Sequence, residues 1–299
     1  MTLIARARLK VLGAVLSATL FILPFKIAAG EDQGAGAALG LMAFVFVLFL
    51  PWAAQRLPAI SRERRRATIS LSWKLAIAAG LGNLAQGYAL ESLHAGVAVT
   101  FIQMNVLFVA ILAFLWLREP LTLPALIGVS LALGGIVATQ WPAFSGHFDW
   151  SFGVLWAVGS AFCFSMMDLL ARREIKNADP MIANVIRALL GAFLLAMVPG
   201  ALEQLAAMSL KQVVACALAA VAGPGIARLL LISAARDLPA VESALIQQLR
   251  PLLALPLTSV VFGIWPTQWE WAGAALLTSG VVLPFAAQWR TRRVAVSSG

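Results

Sequence analysis

Residues 103–137 read QMNVLFVAILAFLWLREPLTLPALIGVSLALGGIV, and residues 248–282 read QLRPLLALPLTSVVFGIWPTQWEWAGAALLTSGVV. Laid on each other at an offset of 248 − 103 = 145 residues, they match at Gln103 and Gln248, Thr122 and Thr267, Gly128 and Gly273, and Gly135 and Gly280. The alignment runs without gaps from Glu91 to Val137 against Arg236 to Val282, pairing Leu93 with Leu238. Each stretch is two apolar runs joined by a short polar break, so one helix pair occurs twice in the chain.

The rest of the chain has the same character. Hydrophobic residues make up 61% of its 299 positions and charged residues 12%, against about 25% charged in soluble domains. No aqueous fold covers that much apolar surface, and the mean hydropathy is +0.90. Apolar windows predict ten spans, near 9–30, 36–55, 69–90, 93–117, 121–141, 150–172, 181–200, 211–234, 238–263 and 267–289. The 145-residue offset also lays Gly80 on Gly225 and, with a one-residue slip, Gly13 on Gly159 and Lys26 on Arg172. The expected fold is therefore an all-α polytopic membrane protein of ten transmembrane helices, with one five-helix repeat over 1–145 and a second over 146–299. Five is odd, so the repeats are inverted relative to each other. Arg6, Arg8 and Lys10 ahead of a run ending in Ala28-Ala29-Gly30 resemble a secretory signal. The run is long for one, is interrupted by Pro24 and Lys26, and is needed by the repeat, so it is read as helix one.

The net charge of +9 does not indicate a nucleic-acid partner, because the basic residues gather in alternate loops. Arg56, Arg62, Arg64–Arg66, Arg118, Arg172, Arg173, Lys176, Arg236 and the tail Arg290, Arg292 and Arg293 all fall on one side, which the positive-inside rule assigns to the cytoplasm with both termini. Lys211 is the main exception. Cys163 and Cys216 lie within apolar segments and read as small buried hydrophobes.

Enzyme signatures are missing: there is no His-Glu-x-x-His, no Gly-x-Ser-x-Gly and no Gly-x-x-x-x-Gly-Lys, and both histidines fall in predicted loops. The chain is read as a non-enzyme with no cofactor and no metal. What remains is polar residues inside apolar helices, where a central Arg costs roughly 2.5–3.5 kcal/mol on insertion scales. Arg250 lies about 16 Å past Pro239 and is the deepest charge; Arg228 sits about 9 Å from the inner end of its span, and Arg187 is ambiguous. The offset pairs Asn83 with Arg228, Gln103 with Gln248 and Asn105 with Arg250, neutral residues in the first half opposite two cations in the second. Asp168, four residues before Arg172, reads as its helix-end partner, which leaves the cationic wall without a carboxylate and suited to a substrate anion.

Pro224, Pro251 and Pro256 free the carbonyls of Ala220, Gln247 and Leu252. The sequence thus suggests that Arg250 meets a substrate carboxylate while nearby carbonyls and amides, with Gln247 on the Arg250 face, take an ammonium. Gln103 and Asn105 sit about 200° apart on a continuous helix, as do Gln248 and Arg250, so each pair should divide between two faces. Interhelical hydrogen bonding competes with substrate contact for every one of these residues. Trp52, Trp73, Trp116 and Trp289 fall at inner ends and Trp141, Trp150, Trp265, Trp269 and Trp271 at outer ends, as interface belts. Only Trp156 and Tyr88 lie deep enough to be cavity aromatics. Gly128 and Gly135, like Gly273 and Gly280, recur at seven residues on one face, as close helix packing requires.

Three features together resemble the drug/metabolite transporter superfamily in its ten-helix EamA-type branch. They are Arg118-Glu119-Pro-Leu-Thr-x5-Gly128-x6-Gly135, Pro251, and Thr267-x5-Gly273-x6-Gly280. Within it the chain looks most like the YddG-type exporters. That resemblance implies export of aromatic and other neutral amino acids across a bacterial-type cytoplasmic membrane by alternating access. It also implies that the partners are a small-molecule substrate and the bilayer; oligomeric state stays open, with a monomer plausible. The chain departs from the pattern at Ile264 and Trp265, where a Glu is usual, and at Val106, where a Pro is usual. A lipid or nucleotide-sugar carrier and a non-transporting scaffold remain the alternatives.

Overall fold

The computed structural model describes residues 2–29, 33–92, 101–139, 141, 152–250, 253, 267–269, 271–280 and 282–283. Pro251 and Pro256 lie outside these residues. The described chain is helical. In the first half, α1 (Leu3–Ala29), α2 (Gly34–Arg56), α3 (Arg62–Ser92), α4 (Asn105–Leu112) and α5 (Leu123–Thr139) follow one another. In the second, α6 (Phe152–Glu174), α7 (Pro180–Ala196), α8 (Ala201–Ala206), α9 (Leu210–Ala220), α10 (Arg228–Ala234) and α11 (Ala240–Gln247) precede a last helix over 271–280.

Boundaries follow local chemistry. Asp179 accepts hydrogen bonds from the Met181 and Ile182 amides and Pro180 fills the first position of α7, while Ser209 and Gln212 form a capping box that starts α9. The stretches Gly34–Ala59, Phe152–Asn177 and Leu210–Ala234 are long and apolar enough to cross a membrane. At 1.5 Å per residue each runs about 38 Å, more than the roughly 30 Å hydrocarbon core. The helices α1 and α3 begin earlier than the apolar windows predict, because their charged first turns, with Arg6 and with Arg62–Arg66, continue the helix beyond the apolar run.

Helix ends recur at the repeat offset: 29 + 145 = 174 closes α6, and 123 + 145 = 268 opens the last helical stretch. Packing follows the same exchange, α3 lying mainly on α6, α1 on α9 and α10, and α2 on its own counterpart α7. Leu71 and Leu75 of α3 bury against Met167, Ala171 and Ile175. Val11 and Val15 of α1 bury against Leu231 and Ala234. Along α2, Met42 sits at Gly191 and Ala53 at Ile182 and Val185, so the two equivalent helices run antiparallel. Halves that are inverted copies produce this pattern, in which each contact has a mirrored counterpart.

The glycine pairs show the same exchange at closest approach. A Cβ on Gly135 would stand 2.8 Å from the Gly273 carbonyl oxygen, and one on Gly280 would stand 2.7 Å from the Gly128 carbonyl oxygen. Backbone rather than side chain fills the space, as helix packing in a bilayer favours. The surface facing away from these contacts is apolar, with Leu3, Phe152, Leu155, Leu210 and Trp271 all exposed. Gly135→Ala should therefore cost about 1–3 kcal/mol by overpacking. Gly134→Ala, with open space around its Cβ position, should cost nothing, and thermal unfolding of the two purified variants distinguishes them.

Candidate functional site

The helical segments that carry Gln103 and Asn105, and Gln248 and Arg250, are broken at symmetry-related points. The first is interrupted at Met104, whose amide donates to the Phe101 carbonyl at 3.1 Å in a three-residue turn. The second is interrupted at Gln248 and Leu249, and the Leu249 amide donates to Ile246 at 3.1 Å. These are one bond in duplicate, since 101 + 145 = 246 and 104 + 145 = 249. Continuous helices would have divided Gln103 from Asn105 and Gln248 from Arg250. Because the helices are broken, all four residues turn to the same space, which corrects the 200° expectation. The Gln248 amide donates to Asn105 Oδ1 at 3.4 Å, joining the two halves directly.

That space is a cavity of about 220 Å³ between the halves. Among the described residues its charged lining comes from the second half: Asp168, Arg187, Arg228 and Arg250. The first half contributes the amides Asn83, Gln86, Gln103 and Asn105 with apolar neighbours. Arg228 Nη1 donates to Asp168 Oδ1 at 2.6 Å, both side chains about 16% exposed. The expected Asp168–Arg172 pair does not form. Arg172 instead donates from Nε to Glu119 Oε1 at 2.8 Å and from Nη1 to the Ala235 and Arg236 carbonyls, leaving Asp168 to the cavity. The cationic wall therefore has one carboxylate partner, used by Arg228, and a net excess of positive charge. Arg250 Nε and Gln248 Oε1 are buried with no hydrogen-bond partner among the described residues.

Arg187 has a different role from the other two arginines. It is 2% exposed and faces Val221–Ala227, where the chain between α9 and α10 winds as a π-helix around Pro224. Such a stretch leaves carbonyls unpaired at membrane depth, which is tolerated only where protein supplies donors. Here three side chains supply them. Ser17 donates to Ala222 O at 2.7 Å, Asn184 to Pro224 O and Gly225 O at 3.1 and 3.3 Å, and Arg187 Nη2 to Pro224 O at 3.1 Å. Asn184 Oδ1 in turn accepts from Arg187 Nε and Nη2 at 3.2 and 2.9 Å. A Cβ on Gly223 would meet the Phe21 ring at 2.5 Å, so glycine is needed there for α1 to approach. The Pro224 carbonyl is thereby engaged within the protein.

Of the residues singled out from sequence, Asn83, Gln103, Asn105, Arg228, Gln247, Gln248 and Arg250 line the cavity. Tyr88 and Trp156 do not: their rings pair at 5.3 Å, 37% and 44% exposed, and Tyr88 borders a separate cavity of about 90 Å³. Sequence reasoning missed Asp168, Gln86 and Asn184. Gln86 lies three residues after Asn83, and Asn184 three before Arg187; polar pairs at that spacing share a helix face, which was the available signal. Asp168 offered none, because its spacing to Arg172 suits a local pair equally well.

The EamA-like transporter family matches this chain twice, over residues 6–140 and 151–285, displaced by 151 − 6 = 145 residues. The chain belongs to the EamA-like transporter family. Its EamA repeats thus coincide in offset with the self-alignment, and the family points to a membrane transporter of small molecules. A crystal structure 15% identical to it superposes with a TM-score of 0.77, covering 94% of this chain and 97% of its own, a likeness of fold alone. No curated protein matches it significantly.

The Asp168–Arg228 pair can be weighed by a double-mutant cycle. Asp168→Asn should cost about 1–3 kcal/mol, less than in a dry core because a cavity admits water. Arg228→Gln in the same background should recover part of that loss. Thermal unfolding of the two single variants and the double variant measures the coupling.

Proposed function

We propose that this chain is a secondary transporter for small organic metabolites bearing a carboxylate, with amino acids, aromatic ones included, as the leading class. In this reading ten spans form two inverted five-helix halves, 1–145 and 146–299, which rock about the central cavity and expose it to each side in turn. Both termini lie in the cytoplasm of a bacterial-type cytoplasmic membrane, and export is the direction that the family resemblance favours. The observation that carries the reading is Arg250. Its Nε is buried without a partner among the described residues, beside a cavity lined by amides, while Arg187 and Arg228 are already engaged. A substrate carboxylate supplies the missing acceptor, and Asn83, Gln103, Asn105, Gln247 and Gln248 provide donors and acceptors for the rest of the ligand.

Size and partnering weigh against the alternatives. A cavity of about 220 Å³ is below the roughly 300–1,000 Å³ of drug-sized sites and small for a nucleotide sugar or a lipid. A scaffold whose polar residues only joined helices would have no use for unpartnered Arg250 and Gln248 atoms. The Asp168 carboxylate is held by Arg228, which favours facilitated diffusion or exchange over proton coupling.

Arg250→Ala should abolish uptake of labelled amino acid into proteoliposomes, and Arg250→Lys should retain a fraction of it; undiminished flux in the alanine variant would overturn the assignment. An imposed pH gradient should leave parent flux unchanged, and stimulation would show proton coupling instead.

A further inference from the structure

The charged network at one end of the molecule, outside the cavity, is built around Glu119. Arg118 adopts a left-handed backbone, φ 54°, which a non-glycine residue holds only when its surroundings enforce it. That turn brings the Glu119 amide onto the Ala113 carbonyl at 3.1 Å and aims its carboxylate across to the second half. There Oε1 accepts from Arg172 Nε at 2.8 Å, and Oε2 accepts from the Ala240 backbone amide at 3.0 Å, in the first turn of α11. Arg172 simultaneously donates to the carbonyls of Ala235 and Arg236, just past the end of α10. Each charge thus sits at the helix terminus it complements, carboxylate at an N-terminus and guanidinium at a C-terminus. Arg8 of α1 also pairs with Glu242 one turn into α11.

The Glu119–Ala240 and Arg8–Glu242 contacts meet on α11, which carries Gln247 into the cavity and leads directly to Gln248 and Arg250. Inversion predicts an equivalent network at the opposite end, but the carboxylates that would build it are not in the sequence. At the 145-residue offset Glu119 corresponds to Ile264, Glu242 to Val97 and Arg8 to Gly153, while Arg172 falls on Ile27, or on Lys26 with the one-residue slip of helix one. The two acidic residues that tie this end are therefore not duplicated.

We propose that Glu119 and Arg172 are positioning residues that latch α11, holding Gln247, Gln248 and Arg250 in the cavity and closing it at this end. Opening towards that side requires the carboxylate to leave the α11 N-terminus and the guanidinium to leave the chain past α10. The inference rests on the alternating-access reading, but its test does not require transport. Ala79, a cavity-lining residue, is replaced by Cys in a chain whose Cys163 and Cys216 are Ala. A charged, membrane-impermeant thiol reagent is then added on the face bearing Arg8, Glu119 and Arg172.

Glu119→Gln and Arg172→Gln should each raise the labelling rate about 10-fold or more, as expected when a charged hydrogen bond no longer favours the closed state. Arg172→Lys, which keeps the charge but cannot serve Glu119 and both carbonyls together, should fall between. The charge-swapped double variant Glu119→Arg/Arg172→Glu is decisive. A plain ion pair is restored by the swap, whereas this latch is not, because the swap sets a donor against the Ala240 amide and an acceptor against two carbonyls. Should Glu119→Gln fail to give monodisperse protein, Arg172→Gln reads the same latch from the other half. Parent-like labelling in the single variants, or parent-like labelling restored by the swap, would overturn the proposal. Loss of flux with slow, parent-like labelling would point to the binding site rather than the latch.

Discussion

A backbone in hydrocarbon must satisfy its own polar groups, and a helix that breaks there must find donors elsewhere. This constraint organises the molecule. The Val221–Ala227 segment exists because Ser17, Asn184 and Arg187 reach it from α1 and α7. The turn at Asn105 is likewise supported from α6, where Ser165 donates to the Asn105 carbonyl at 2.9 Å. Both of these stretches are served by a neighbouring helix, and they lie where the halves meet. A cavity with polar lining is the geometric result.

Duplication reproduced the backbone but not the chemistry. The turns at Met104 and Leu249, the glycine contacts and the exchange of α1 and α3 contacts all obey the 145-residue offset. The charges do not. Met42 and Arg187 occupy equivalent positions and touch each other, the guanidinium Nη1 lying 3.7 Å from the Met42 sulfur. That contact marks the pseudo-twofold axis, and the two sides of it differ by a full charge. An inverted repeat with identical halves would give two equivalent end states; one with charges on a single half makes them unequal.

Much of this could be read from residues alone. The repeat, the glycine packing and seven cavity residues followed from the offset and from the cost of polar groups among apolar ones. Two of the differences come from spacing, which assumes an unbroken helix and local partners. Gln103 and Asn105 were divided between faces because no proline or glycine marks the Met104 turn, where Val106 stands in place of the usual proline. Asp168 was paired with Arg172 because four residues is a good local spacing, whereas Glu119, 53 residues away in sequence, holds that arginine. Long-range competition for a guanidinium leaves no trace in spacing. Tyr88 and Trp156 were placed by depth, and depth does not reveal which side of a helix faces lipid.

The use of arginine rather than lysine at the three cavity cations follows from what each must do. Arg187 holds Asn184 Oδ1 through two nitrogens while one of them also reaches Pro224 O, which a planar fork with five donors can do and a single ammonium cannot. Arg228 donates from Nη1 to Asp168 at 2.6 Å and is committed to that pair. With those two committed, Arg250 is the cavity cation whose Nε lacks an acceptor among the described residues. It also follows directly on α11, the helix held at its far end by Glu119 and Arg8. Any shift of α11 that breaks those contacts moves Arg250, so the residue best placed to meet an anion also rides on the element best placed to report that the end has opened.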